Sequence, residues 1–126
     1  MNNQLESGYK KDWVKAVKKA GGYARRIEDQ YGVGILDTVI KLPELPVVFV
    51  EAKRFTGNQF KPRDRQWVEM DLIEKAGGKS CLIGVKDDMC YFSKITKLAR
   101  VEDCVIQNDG ETFCDAFRRW YKEQGQ

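Results

Sequence analysis

The 126-residue chain contains no histidine. That absence excludes Ser-His-Asp hydrolysis, histidine-ligated zinc and histidine general bases, so any catalysis has to run on carboxylates and lysine, with or without a metal ion. Its four cysteines, Cys81, Cys90, Cys104 and Cys114, stand 9, 14 and 10 residues apart, without the close pair that zinc sites use. Reduced thiols packed as small apolar side chains are expected, not a disulfide scaffold. No apolar run approaches the roughly 18 residues needed to span a bilayer, and the opening MNNQLESGYKK lacks the apolar stretch of a signal peptide. The expectation is a soluble, cytoplasmic protein of one domain, because this length supports a single core and is too short for two ordinary ones.

What is present is charge, unevenly spread. The formal net charge is only +3. Between Lys10 and Arg26, however, seven basic residues (Lys10, Lys11, Lys15, Lys18, Lys19, Arg25 and Arg26) face one acid, Asp12. Between Lys53 and Arg65 five more (Lys53, Arg54, Lys61, Arg63 and Arg65) face only Asp64, whereas the last 26 residues carry three basic and six acidic side chains. Such polarity points to a polyanionic partner on one side of the molecule.

The stretch GILDTVIKLPELPVVFVEAK, residues 34–53, reads as two strands joined by a tight turn. Strand side chains alternate, so Glu51 and Lys53 share a face opposite to Val50 and Ala52. The turn Leu42-Pro43-Glu44-Leu45-Pro46 is nearly symmetrical about Glu44; folding there pairs residues whose numbers sum to 88 and sets Asp37 opposite Glu51. Like charges so placed are destabilising. A divalent cation between the carboxylates offsets that repulsion. The apolar run Val48-Phe49-Val50 just before Glu51 marks a buried central strand, where unpaired charge is costly. This separates the pattern from the many surface hairpins that carry an exposed, weakly interacting Glu and Lys.

Around this hairpin the periodicity predicts a helix over about 5–20, stopped by Gly21-Gly22, with Tyr9, Trp13, Val17 and Ala20 on a core stripe and Lys11, Lys15, Lys18 and Lys19 opposite. A solvated lysine face is its ordinary reading and a phosphate-contacting face the sharper one. Tyr23 to Ile27 reads as a strand, Gly32-Val33-Gly34 as a glycine loop beside Asp37, and Phe55 to Phe60 as a loop. A second helix, apolar on more than one side, runs from near Pro62 to Gly77-Gly78. Cys81 to Val85 and Met89 to Phe92 form another hairpin, and a final helix from Gly110 carries Phe113, Phe117, Trp120 and Tyr121. That aromatic stripe reads first as core packing and second, with Arg118-Arg119 as rim, as a dimer interface. The order αβββαββα implies an α/β fold, a mixed central sheet flanked by helices.

Asp37, Glu51 and Lys53, bordered by basic segments, compose a site for cutting a phosphodiester. Oxygen ligands suit magnesium, with the Ala52 carbonyl as a third donor. Lys53 would orient or deprotonate the attacking water, or stabilise the oxygens of the transition state. The candidate nucleic-acid contacts are Lys11, Lys15, Lys18, Lys19, Arg25, Arg26, Arg54, Lys61, Arg63 and Arg65.

Gly34-Ile35-Leu36-Asp37, then Val-Phe-Val-Glu51-Ala52-Lys53, then Gln66 opening a helix that leads to Ala76-Gly-Gly-Lys-Ser-Cys-Leu-Ile-Gly84, resembles the PD-(D/E)XK nuclease superfamily, and within it the small VRR-NUC branch. The resemblance covers roughly residues 5–93, leaving 94–126 as a C-terminal helical extension of a single nuclease-like domain. It implies a restriction-endonuclease-like core and a magnesium-dependent nuclease, manganese also serving, in which Asp37, Glu51 and the Ala52 carbonyl hold metal and Lys53 assists catalysis. It further implies that Gln66 lines the site and that an acid on the first helix approaches the metal: Glu6, with Asp12 competing for the role. Similarity of this branch to Holliday-junction resolvases implies branched DNA as substrate and a homodimer. Leu36 departs from the family, which usually has proline before the first acid. The alternatives are a non-catalytic nucleic-acid or protein binding module on the same scaffold and an RNA-cutting enzyme.

Overall fold

The computed structural model describes residues 2–27 and 36–126, with residues 2–7 described in backbone only. Helix α1 (Asn2–Lys19) leads into β1 (Tyr23–Arg26), β2 (Thr38–Lys41) and β3 (Val48–Arg54). A short β4 (Gln59–Phe60) precedes α2 (Asp64–Lys75), after which come β5 (Lys79–Lys86), β6 (Met89–Ser93), β7 (Ala99–Arg100), β8 (Val105–Ile106) and α3 (Phe113–Trp120). Six strands form one sheet in the order β1-β2-β3-β5-β6-β8, and β4 pairs with β7 apart from it. The β3–β5 pair is parallel and the others are antiparallel. Helix α2 is therefore the crossover that a parallel pair requires.

The central strands are apolar on both faces because helices cover both. Val48, Val50 and Ala52 of β3 pack with Trp13 and Val17 of α1 and with Phe113, Phe117 and Trp120 of α3. On the other face Leu36, Phe60, Met70 and Leu82 form a second cluster, with Phe49 and Ile73 packed against it. The expected αβββαββα order is present, with three two-residue strands added that no periodicity in the sequence announces.

Several details differ from expectation. The segment from Phe55 to Phe60 is not all loop: Gln59 and Phe60 pair with Arg100 and Ala99, and Phe60 is buried. The aromatic stripe of α3 is core; Trp13 stacks on Phe113 at 5.0 Å, so these rings are not left over for a dimer contact. Its arginines are engaged within the chain, Arg118 with Glu44 and Asp115, Arg119 with Glu111. Only one apolar side of α2 is buried, while Val68 and Leu72 face outward. Residues 32–34, read as a glycine loop, lie outside the described residues.

Candidate active site

The hairpin register is the one anticipated: Thr38 pairs with Val50, Val39 with Phe49 and Ile40 with Val48. Continuing it one step sets Asp37, immediately ahead of β2, opposite Glu51. The backbone parity follows from one hydrogen bond. The Ile27 N–H donates to the Asp37 carbonyl, so the peptide groups of residue 37 face β1 and those of Thr38 face β3. Across the pair, Val50 faces β2, Glu51 faces β5, and Ala52 faces the β2 side again. There the β2–β3 ladder has ended among the described residues, so the Ala52 carbonyl points toward the Asp37 side without a strand partner.

Glu51 is 3% exposed although it is a carboxylate. By alternation it lies on the α2 face, and Gln66 meets it there: the Gln66 Nε2 donates to Glu51 Oε2 at 2.9 Å. The Gln66 Oε1 accepts from the Arg63 N–H at 2.9 Å, which caps the start of α2 and fixes which end of the amide turns to Glu51. Lys53 Nζ lies 3.4 Å from the same Oε2. Glu51 Oε1, buried, has no hydrogen-bond partner. Burial, and after it the like charge of Asp37, push the Glu51 carboxyl up to about 8; Lys53 and Lys10 oppose the shift without cancelling it.

Asp37 is held from the other layer. Its Oδ2 pairs with Lys10 Nζ of α1 at 2.7 Å, and its Oδ1 accepts from the buried Thr38 hydroxyl at 3.0 Å. Neither Lys10 nor Thr38 was singled out from sequence as a site residue. Lys10 was counted only among the basic residues, and one signal was available: it follows Glu6 by one helical turn. The Glu6 side chain lies outside the described residues. Asp12, its competitor, is exposed, one residue before the buried Trp13.

The chain is similar in structure to the Holliday junction resolvase Hjc of Archaeoglobus fulgidus, an archaeal hyperthermophile, over 84% of this chain and 85% of that one, with 15% identity and a TM-score of 0.57. The fold is restriction-endonuclease-like. No protein-family model matches the chain, and no curated protein matches it. Within this fold Leu36, standing where proline was expected, is fully buried against Phe60, Met70 and Leu82.

The donor set fits a hard divalent cation. Two opposed carboxylates, an orphaned buried oxygen on Glu51 and an Ala52 carbonyl directed to the Asp37 side are oxygen donors awaiting positive charge. Among the described residues, no cluster of three or more histidine, cysteine, aspartate or glutamate side chains forms. The basic residues divide between layers. Lys11, Lys15, Lys18 and Lys19 are exposed on α1, whose core side covers the face opposite Glu51. Lys61, Arg63 and Arg65, also exposed, surround the start of α2 beside Gln66. Arg25 shares the Glu51 face of the sheet by register, Arg26 and Arg54 the opposite one, and all three are exposed. No helix of the described residues is long and apolar enough to cross a membrane.

Proposed function

We propose that the protein is a divalent-metal-dependent endonuclease that hydrolyses DNA phosphodiester bonds and selects branched, junction-like DNA. The observation that carries this reading is the buried Glu51 opposite Asp37: an acid whose ionisation costs stability unless a cation is supplied. Asp37, Glu51 and the Ala52 carbonyl would hold magnesium, with manganese able to replace it. When bound, the ion lowers the pKa of water and offsets charge growing on the phosphate.

The chain's own residues do the rest. Gln66 keeps Oε2 of Glu51 in place and so leaves Oε1 free to bind. Lys10 and Thr38 fix the Asp37 carboxylate before any ion arrives. Lys53, beside Glu51 and partly exposed, donates to the attacking water or to a phosphate oxygen. Lys61, Arg63 and Arg65 are the cations best placed for the scissile strand, because they surround the helix start that Gln66 caps. The α1 lysines would meet a second arm of the DNA from the other layer.

The VRR-NUC branch remains our assignment from the order of the motifs, and the resolvase named in the structural neighbour supports junction DNA as the substrate class. A symmetric cut across a junction needs two sites related by a two-fold axis, so we infer a homodimer. Four free cysteines suit a cytoplasmic enzyme. The test is a panel of single-stranded, duplex, flap and four-way-junction DNA with and without magnesium. Asp37→Ala and Glu51→Ala should each reduce magnesium-dependent cleavage at least about a hundredfold while DNA binding is retained. Full activity in either variant would remove these residues from the mechanism. If calorimetry finds no magnesium or manganese binding and DNA affinity ignores chelator, the chain is instead a binding module, a reading favoured by the presence of only two carboxylates at the described site.

A further inference from the structure

A cavity of about 280 Å³ opens at the end of β3, lined by Tyr9, Arg54, Phe55, Gly57, Val85, Lys86 and Asp87. It adjoins the site through the chain itself, since Arg54 follows Lys53 and Tyr9 precedes Lys10. Arg54 lies three residue steps along β3 from Glu51, about 10 Å. Its walls combine ring surface with positive charge. Lys86 Nζ lies 5.6 Å from the centre of the Phe55 ring and donates to Asn58 Oδ1 at 3.3 Å, and the Arg54 guanidinium is exposed at the rim. We infer that this cavity seats one unpaired nucleotide of the DNA strand next to the cut, the base against Tyr9 and Phe55 and its phosphate toward Arg54 and Lys86.

The volume is near the lower end for small-ligand sites, about 300 Å³, which suits a single base. Stacking on aromatic rings requires an exposed base face, which a base inside a duplex does not offer. Asp87 is the acidic side chain in the lining, so the phosphate end is directed to the Arg54 and Lys86 cations rather than to Asp87. Asp87 and Asp88 adopt positive φ values of 52° and 62° in the β5–β6 turn, and the Tyr9 hydroxyl donates to Asp88 at 2.5 Å, tying α1 to it. The Tyr9 hydroxyl is thereby occupied, leaving its ring as wall.

This inference rests on the nuclease reading for its substrate, but its test does not depend on cleavage. In chelator, the protein would be titrated with flap DNA carrying 2-aminopurine at the unpaired nucleotide beside the branch, and with matched duplex. Expected are fluorescence quenching on the flap and about tenfold tighter binding than to duplex. Arg54→Gln with Lys86→Gln should erase the flap preference. Tyr9→Phe should keep the quenching, and Phe55→Leu, checked for folding by thermal melt, should lose it. Absence of quenching in the wild type, or an unchanged flap-to-duplex ratio in the double variant, overturns the inference. Selective quenching without any magnesium-dependent cleavage would sink the nuclease reading and leave this site standing.

Discussion

Replacing Glu51 with glutamine should separate the fold's needs from the site's. Burial, and after it the charge of Asp37, push the Glu51 carboxyl up to about 8 from an ordinary 4.5. The folded state therefore holds this proton more tightly than the unfolded chain. Its contribution to stability is complete below pH 4.5 and is lost as pH rises toward 8. Each pH unit in that window removes about 1.4 kcal/mol, so the whole window costs about 5 kcal/mol, and at pH 7 about 3 kcal/mol is already gone. Glutamine keeps the shape and a carbonyl oxygen for Gln66 but carries no charge. Urea denaturation from pH 5 to pH 9 should show Glu51→Gln near the wild type at pH 5 and more stable by several kcal/mol at pH 9. Magnesium should recover stability at high pH in the wild type alone, by about 3 kcal/mol at a hundredfold excess over the dissociation constant. Wild-type and variant curves that run parallel across pH would refute the claim that Glu51 is a buried acid awaiting a cation.

Gln66→Leu takes the amide away from Glu51 Oε2 and the Arg63 N–H. The Arg63 N–H loses its acceptor and Glu51 Oε2 keeps only Lys53 at 3.4 Å, so the change should cost about 1–3 kcal/mol, read as a lower urea midpoint. Trp120→Ala removes a buried ring that packs at 5.5 Å on Phe117. A loss of about 3–5 kcal/mol in global unfolding would show the C-terminal segment to be part of the cooperative core. Gly84→Ala should also destabilise, by about 1–3 kcal/mol, because a Cβ there would lie 2.5 Å from the Phe60 ring and 2.8 Å from Phe55. Since Phe55 lines the proposed nucleotide cavity, the same variant should alter 2-aminopurine quenching on flap DNA.

The hairpin was legible because turn symmetry and alternation are local properties: a register summing to 88 places Asp37 and Glu51 without reference to the rest of the chain. Helices α1 and α2 were legible from their glycine stops and apolar spacing. The pairing of β4 with β7 was not, because two residues of strand carry no periodicity and their partner is about forty residues away. Lys10 was hidden for a related reason. It belongs to a run of lysines, and only the packing of α1 against the sheet selects the one that reaches Asp37. The α1 lysine face illustrates the converse. Its helical phase was right, but phase does not reveal on which side of the sheet a helix lies, and α1 covers the face away from Glu51.

The two carboxylates are thus secured from opposite layers, Asp37 by Lys10 of α1 and Glu51 by Gln66 of α2, and they are set opposite one another where β2 begins while β3 runs on to Arg54. This arrangement couples the site to the whole fold. Rotating α2 withdraws the Glu51 partner, and shifting α1 withdraws the Asp37 partner. Either change leaves a polar or charged group with less compensation in a poorly solvated place, where it is costly. A bound cation would instead reward the geometry in which both layers are seated. Metal binding and tertiary packing are on this account the same equilibrium seen from two sides, and DNA that draws α1 and α2 onto neighbouring arms would tighten the ion without touching it.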